Sequence, residues 1–237
     1  MIKPLFEQSR RTYGSPRLCA ALRALGQRCG KNRVARLMRQ SSLRPRQKRR
    51  FRPQTTQSKH NLPLTQNWLV KVPTPDRPNQ VWLADITYIP TAEGWLYLAV
   101  ELDACSRKVA GWSARDDLCT ALVLEAWHRA VSRYPLAPGL LHHSDRGCQY
   151  ASSDFQSLLQ KSKACGSMSR PANPYDNAMM ESFFATLKTE CFGQFLPPTR
   201  AAARLMLFDY IEAFYNIHRR HSSLANRSPL EFEQSIS

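Results

Sequence analysis

The sequence predicts a mixed α/β layer fold preceded by a small, strongly basic helical arm. The predicted elements are three strands, a helix, a strand, a helix, a strand and further helices, an order typical of a mixed sheet with flanking helices. The positive charge is confined to the first third of the chain. Residues 1–75 contain 18 Lys and Arg residues and one acidic residue, whereas residues 76–237 contain 16 Lys and Arg residues and 17 acidic residues. These observations divide the chain into a basic arm and a nearly neutral body.

In the body, the alternation and spacing of apolar residues predict each element in turn. Strands are predicted at 81–89, 95–103, 109–113, 139–143 and 167–169, and helices at 119–134, 153–161, 173–190 and 200–219. The first three strands should form an antiparallel meander. The body as a whole is predicted to span residues 78–237.

The arm, residues 1–42, is predicted to form two short helices that resemble a helix-turn-helix. Glycines separate two sets of apolar residues at helical spacing. A basic surface that is merely solvated is the alternative, but the near absence of acids favours a polyanion partner. The side chains expected to contact DNA phosphates are Arg17, Arg33 and Arg36.

Between residues 43 and 77 the periodicity disappears, and proline and cations dominate. This composition predicts an extended linker that does not pack and becomes ordered only on a polyanion. Within it, Lys48, Arg49 and Arg50 form a basic run that is expected to contact DNA.

Composition also excludes several classes of protein. The chain has no run of ~18 apolar residues that could span a membrane, and its start lacks the apolar stretch of a secretory signal. Its seven cysteines are scattered without a CxxC pair, which argues against a disulfide framework or a zinc site. A cytosolic protein with reduced thiols is expected.

Three acidic residues lie where a carboxylate is either costly or well placed for a ligand. Asp85 interrupts an apolar strand, which is unfavourable unless the charge is paired or bound to a cation. Asp145 ends a strand, where α/β sheets place ligands, and Glu181 lies on a helix between apolar pairs. Taken singly, each could instead be a structural hydrogen-bond partner, a turn residue or a surface charge. Together they would suit Mg²⁺, which prefers oxygen ligands.

The residues around these acids resemble a known family. Asp145 and Glu181 are separated by 35 residues, and the strings are WLADITYI around Asp85, HSDRGCQY around Asp145 and YDNAMMESFF around Glu181. They are similar to those of the second-frame proteins of insertion-sequence family three, which are transposases of the retroviral-integrase superfamily. The resemblance extends to the arm and the tail. It implies an RNase H-like integrase core that cleaves and transfers DNA strands with two Mg²⁺ or Mn²⁺ ions.

The resemblance also implies roles for individual residues. Asp85, Asp145 and Glu181 resemble the catalytic metal ligands, and Lys188, seven residues after Glu181, resembles a DNA contact on the same helix face. Asp103 is the closest competitor for the first ligand, although its string resembles a structural segment of the family.

Three further polar residues near these strings have structural explanations. Asp176 and Asn177 fit helix capping at least as well as a chemical role. His143, beside a strand end, is expected to be a hydrogen-bonded structural group more often than a DNA contact.

The implied partners are the DNA of the element ends and target, a first-frame product with a helix-turn-helix and leucine zipper, and further copies of the chain assembled on DNA. Family members usually begin some tens of residues before the Tyr13-Gly14 motif, so a shortened copy is expected. Two alternatives stay open. One is a metal-dependent nuclease without strand transfer, and the other is a catalytically weak or silent DNA-binding relic that competes for element ends.

Overall fold

The computed structural model describes residues 1–46, 62–134, 136, 139–170 and 174–236. Its sheet has five strands in the order β3-β2-β1-β4-β5. They are β1 (Val81–Thr91), β2 (Gly94–Asp103), β3 (Val109–Arg115), β4 (Leu141–Ser144) and β5 (Cys165–Met168). The first three strands pair antiparallel, while β4 pairs parallel with both β1 and β5. The predicted mixed sheet and its antiparallel meander are confirmed.

The described helices include those predicted from apolar spacing, together with three short ones that were not predicted, α1, α5 and α9. They are α1 (Ile2–Gln8), α2 (Ser15–Ala24), α3 (Lys31–Gln40), α4 (Thr120–Arg133), α5 (Cys148–Ala151), α6 (Ser153–Lys161), α7 (Ala178–Leu187), α8 (Arg200–Phe208) and α9 (Pro229–Ile236). Helix α7 continues into a π-helical turn at Lys188–Phe192, and α8 continues into another at Asp209–Tyr215. None of the described helices is long and apolar enough to cross a lipid bilayer.

The sheet is buried on both faces, because side chains of β1 alternate between two apolar clusters. Trp82 and Ala84 pack with α4 and α6, whereas Val81 and Leu83 pack with α7, α8 and the arm. The alternation places Asp85 on the α7 face of the sheet.

The arm packs directly on the body. Phe6 of α1 and Leu18 of α2 belong to the same apolar cluster as Tyr210 and Phe214 of the segment after α8. The phenolic oxygen of Tyr13 lies 3.0 Å from the carbonyl oxygen of His218 and donates to it. The boundary predicted at residue 42 therefore does not separate two hydrophobic cores.

The prediction that residues 43–77 do not pack is wrong for the described parts, 43–46 and 62–77, and Leu43 already packs against the apolar cluster of the arm and α7. Asn67 is buried and donates to Asp176 at 2.8 Å, and the backbone N–H of Trp68 donates to Ser167 at 2.9 Å. Leu69–Lys71 forms a 3₁₀ turn. Composition did not reveal these contacts because their partners lie 109 and 99 residues away along the chain. Lys48, Arg49 and Arg50 lie outside the described residues.

Candidate active site

Two aspartates lie side by side at the centre of the sheet. Ala84 of β1 is paired with Ser144 of β4 in parallel register, so Asp85 and Asp145 follow at the same level of neighbouring strands. The carboxylate of Asp145 accepts a hydrogen bond from the backbone N–H of Gly147 at 2.9 Å. A Cβ at Gly147 would lie 3.0 Å from that same oxygen. Glycine therefore lets the turn after β4 close tightly around Asp145.

Asp85 is half-buried, and both of its oxygens accept hydrogen bonds from neutral donors. The backbone N–H of Ile86 donates to Oδ1, and the side-chain amide of Asn177 donates to Oδ2, each at 2.7 Å. Burial raises the pKa of Asp85 to about 8, and the negative charges of Asp145 and Glu181 contribute to the same shift. The carboxylates therefore repel one another, and positive charge among them would be stabilising.

Helix α7 packs against β1 and carries Glu181, and Lys188 begins the π-helical turn that follows it. Glu181 lies in the first turn of the helix and is exposed. Lys188 is half-buried; burial lowers its pKa, and the charge of Asp85 opposes that shift. The structure thus brings the first two predicted ligands together at neighbouring strands, and Glu181 and Lys188 interact electrostatically with Asp85 from the helical segment.

The donor set fits a hard divalent cation, since Asp85, Asp145 and Glu181 offer only oxygen. The raised pKa of Asp85 arises in part from neighbouring negative charge, which such a cation would relieve. Within the described ranges, however, no three Asp, Glu, His or Cys side chains stand close enough together to hold a metal ion. Glu181 is the exposed member of the three, whereas both aspartates are half-buried.

Asp103, the competing first ligand, has a structural role. It is buried at the end of β2, and its Oδ1 accepts hydrogen bonds from the backbone of Cys105 and from both the backbone and hydroxyl of Ser106. Its Oδ2 accepts from the backbone of Asn79 at 2.7 Å. The first three bonds stabilise the turn into β3, and the fourth ties this turn to the segment before β1.

The capping interpretation of Asp176 and Asn177 is not supported by the contacts. Asn177 occupies the N-cap position of α7 but makes no capping hydrogen bond, since its amide reaches Asp85 instead. Asp176 is buried and accepts hydrogen bonds from Asn67 and from the backbone and guanidinium of Arg170. Arg170 also lowers the pKa of Asp176.

His143 has the structural role expected of it. Its two ring nitrogens lie 2.8 Å from the hydroxyl of Ser167 and 3.1 Å from that of Ser169. Burial lowers the pKa of His143 to about 4. The neutral ring ties β4 to the end of β5.

The arginines of the arm differ in their surroundings. Arg33 and Arg36 are exposed on α3, as a phosphate contact requires. Arg17 is instead half-buried against the body, with its guanidinium 3.4 Å from a carboxylate oxygen of Glu190. Burial lowers the pKa of Arg17, and Arg219 adds to the effect. Its position makes it a link between arm and body.

Sequence reasoning missed a buried ionic cluster around Glu190, in the turn that continues α7. The guanidinium of Arg219 donates to both carboxylate oxygens, at 2.6 and 2.8 Å, and the hydroxyl of Tyr210 donates at 2.9 Å. Arg46 donates to the backbone carbonyl of Glu190 at 2.8 Å. The acid and its arginines lie on separate segments, so no local motif signals this arrangement.

Comparison with known proteins agrees with this architecture. Residues 1–51 match the family model "HTH-like domain", and residues 75–174 and 165–229 match two models described as "Integrase core domain". The transposase for insertion sequence element IS904 of Lactococcus lactis is 42% identical over 98% of this chain and 92% of its own length. The transposase InsF for insertion sequence IS3A of Escherichia coli K12 is 41% identical over 96% of this chain and 79% of its own length. The chain belongs to insertion-sequence family three of the transposases.

Another relative of this transposase is the insertion element IS600 31 kDa protein of Shigella sonnei, 42% identical over 98% of this chain and 85% of its own length. Solved structures share the fold. A chain of the simian T-cell lymphotropic virus intasome superposes with a TM-score of 0.55 at 17% sequence identity, and the match covers 90% of this chain and 69% of the intasome chain. The HTLV-2 integrase catalytic core domain superposes with a TM-score of 0.52 at 16% sequence identity, and the match covers 66% of this chain and 97% of that domain. The predicted RNase H-like fold, family and polynucleotidyl transferase class are confirmed.

Proposed function

We propose that this transposase binds divalent cations, two Mg²⁺ or Mn²⁺ ions, through Asp85, Asp145 and Glu181, and that this site cleaves and joins DNA strands. The observation that carries the proposal is the register of β1 and β4, which sets two aspartates side by side with mutually repelling charges. The HTLV-2 integrase core of similar fold is described as a complex with magnesium. Bound cations would activate the attacking hydroxyl and stabilise the leaving oxygen of the phosphodiester.

The residues of the chain would position this chemistry. The backbone N–H groups of Ile86 and Gly147 orient the carboxylates of Asp85 and Asp145. Because these donors are neutral, the negative charges of the carboxylates would remain available to bind the cations. Glu181 would complete the site from the helix. Lys188, already close to Asp85, would contact a DNA phosphate beside the reacting strand.

DNA would bind along the exposed arginines of α3, Arg33 and Arg36, and along the basic run of Lys48, Arg49 and Arg50. Since transposition joins two element ends to a target, the active form would contain at least two copies of the chain on DNA. A first-frame helix-turn-helix and leucine-zipper product is the proposed partner for recognising those ends, with the assembly in the bacterial cytoplasm at the nucleoid.

The test is a joining assay with purified protein, a labelled pre-cut element end, a target plasmid and Mg²⁺ or Mn²⁺, with and without the first-frame protein. We expect joined products that disappear with a chelator and with Asp85→Asn. Asp154→Asn, at an exposed acid of α6, is the matched control and should join normally. Hydrolysis without joining would identify a nuclease instead, and DNA retardation without any reaction would identify a silent relic. Either result would overturn the proposal.

A further inference from the structure

The side chain of Asn177 does not form the hydrogen bond expected at its position in the helix. An asparagine at a helix N-cap normally accepts a hydrogen bond from a backbone N–H of the first turn. Here the side chain makes no such bond. Its amide nitrogen instead donates to Asp85 Oδ2 at 2.7 Å, across 92 residues of sequence. The contact joins the start of the helix that carries Glu181 to the central strand that carries Asp85.

The other end of the same amide is also informative. The carbonyl oxygen of Asn177 is buried and has no hydrogen-bond partner among the described residues. A buried acceptor left unsatisfied costs about 1–3 kcal/mol, so its presence calls for an explanation. The same side chain donates to Asp85 Oδ2, so the unpaired oxygen belongs to the residue that touches the proposed cation ligand. A water carried by the cation would supply the missing donor.

The charge of the donors supports the same conclusion. Both oxygens of Asp85 are held by neutral N–H groups, from Ile86 and Asn177. Neutral donors fix the direction of a carboxylate without cancelling its charge, which an arginine in the same place would do. Removing a group that hydrogen-bonds a metal ligand in this way typically lowers metal affinity or activity about 10–100-fold.

We propose that Asn177 is a positioning residue for the cation-binding carboxylate of Asp85, with its carbonyl oxygen accepting a hydrogen bond from a water on the cation. Since Asn177 lies four residues before Glu181, the same contact sets where Glu181 stands relative to β1. The inference rests on the proposed function, because it requires that Asp85 bind a cation.

The experiment measures Mn²⁺ affinity of the full chain by electron paramagnetic resonance, so that the readout does not depend on catalysis. We expect Asn177→Ala to bind Mn²⁺ about 10-fold more weakly than the wild type, or worse, with an unchanged circular dichroism spectrum. The matched control is Asn32→Ala at an exposed position of α3, which should bind Mn²⁺ as the wild type does. If Asn177→Ala does not fold, Asn177→Ser, whose side chain is too short to reach Asp85, replaces it under the same criterion.

Asp85→Asn is measured in parallel and separates the two proposals. Mn²⁺ affinity that survives Asp85→Asn would overturn the proposed site itself. Loss of affinity in Asp85→Asn together with wild-type affinity in the folded Asn177 variant would overturn only the role of Asn177. Loss in both, with binding retained by Asn32→Ala, is the expected result.

Discussion

Glu181 and Glu190 lie nine residues apart on one continuous helical segment, yet their surroundings are opposite. Glu181 is exposed at the start of α7 and acts electrostatically on Asp85. Glu190 is 8% exposed and is held by Arg219, Arg17 and Tyr210. The fold pairs the second acid with its own arginines, whereas the first belongs, with Asp85 and Asp145, to the proposed cation site.

The charge of the hydrogen-bond donor distinguishes Asp85 from the structural acid Asp176. Asp85 is held by neutral N–H donors, and its pKa is raised. Asp176, in contrast, accepts from the guanidinium of Arg170, and its pKa is lowered. In sequence the two look alike, since each is an aspartate within a string typical of the family.

The largest expected difference between the two glutamates is in stability. Glu190→Ala would leave the guanidinium of Arg219, 4% exposed, without its carboxylate. Breaking a buried pair in this way costs about 3–5 kcal/mol. Glu181→Ala, at an exposed position, should change the free energy of unfolding by no more than about 0.5 kcal/mol. Urea denaturation of the two variants measures both, and equal changes in the two would contradict the comparison.

A smaller, pH-dependent effect on the free energy of unfolding is expected from His221. Its ring nitrogens lie 3.1 and 3.4 Å from the guanidinium of Arg219. Burial, together with the charges of Arg219, Arg17 and Arg107, lowers the pKa of His221 to about 2. In the unfolded chain its pKa is about 6.5, so below that pH the unfolded state binds a proton that the folded state excludes. Stability is therefore fully retained above about pH 6.5 and falls as the pH drops toward 2, by up to about 1.4 kcal/mol per unit.

Urea denaturation at pH 7.5 and 5.5 tests this dependence. The free energy of unfolding should fall by about 1 kcal/mol more in the wild type than in His221→Gln over that interval. The comparison with His221→Gln isolates this contribution from that of His143, whose pKa is lowered to about 4 and which titrates in the same direction. Identical decreases in the two proteins would show that the ring of His221 is accessible to protons in the folded state.

The smallest effect concerns DNA affinity. Replacing Arg33 and Arg36 together by alanine should lower the slope of log affinity against log salt by about 0.9 for each phosphate that the two side chains neutralise. Arg17→Ala is the matched variant, since its guanidinium is engaged with Glu190 and its removal should leave the slope unchanged. Fluorescence anisotropy with a nonspecific duplex at increasing salt gives the slopes. A lower slope for Arg17→Ala alone would assign the DNA surface to the other side of the arm.

Much of the fold was predictable because apolar alternation in strands and helical spacing are local signals. The helix predicted at 153–161 has the bounds that the structure shows. The closeness of Asp85 and Asp145 followed from their strand positions and family strings. Long-range partners were not predictable. The capping role expected for Asn177 came from a local rule, whereas its actual partner lies 92 residues away. Arg17 and Glu190 are 173 residues apart.

The shared core of arm and body has a consequence for how DNA can approach. Because Phe6 and Leu18 pack with Tyr210 and Phe214, the offset and angle between α3 and the aspartates of the sheet are fixed by packing. A duplex that touches both would have to keep a fixed rotational phase between the two points of contact. About five extra base pairs between these points would turn the duplex about half a revolution out of phase, and about ten would restore the phase. Reaction efficiency should therefore vary with the helical repeat of the DNA.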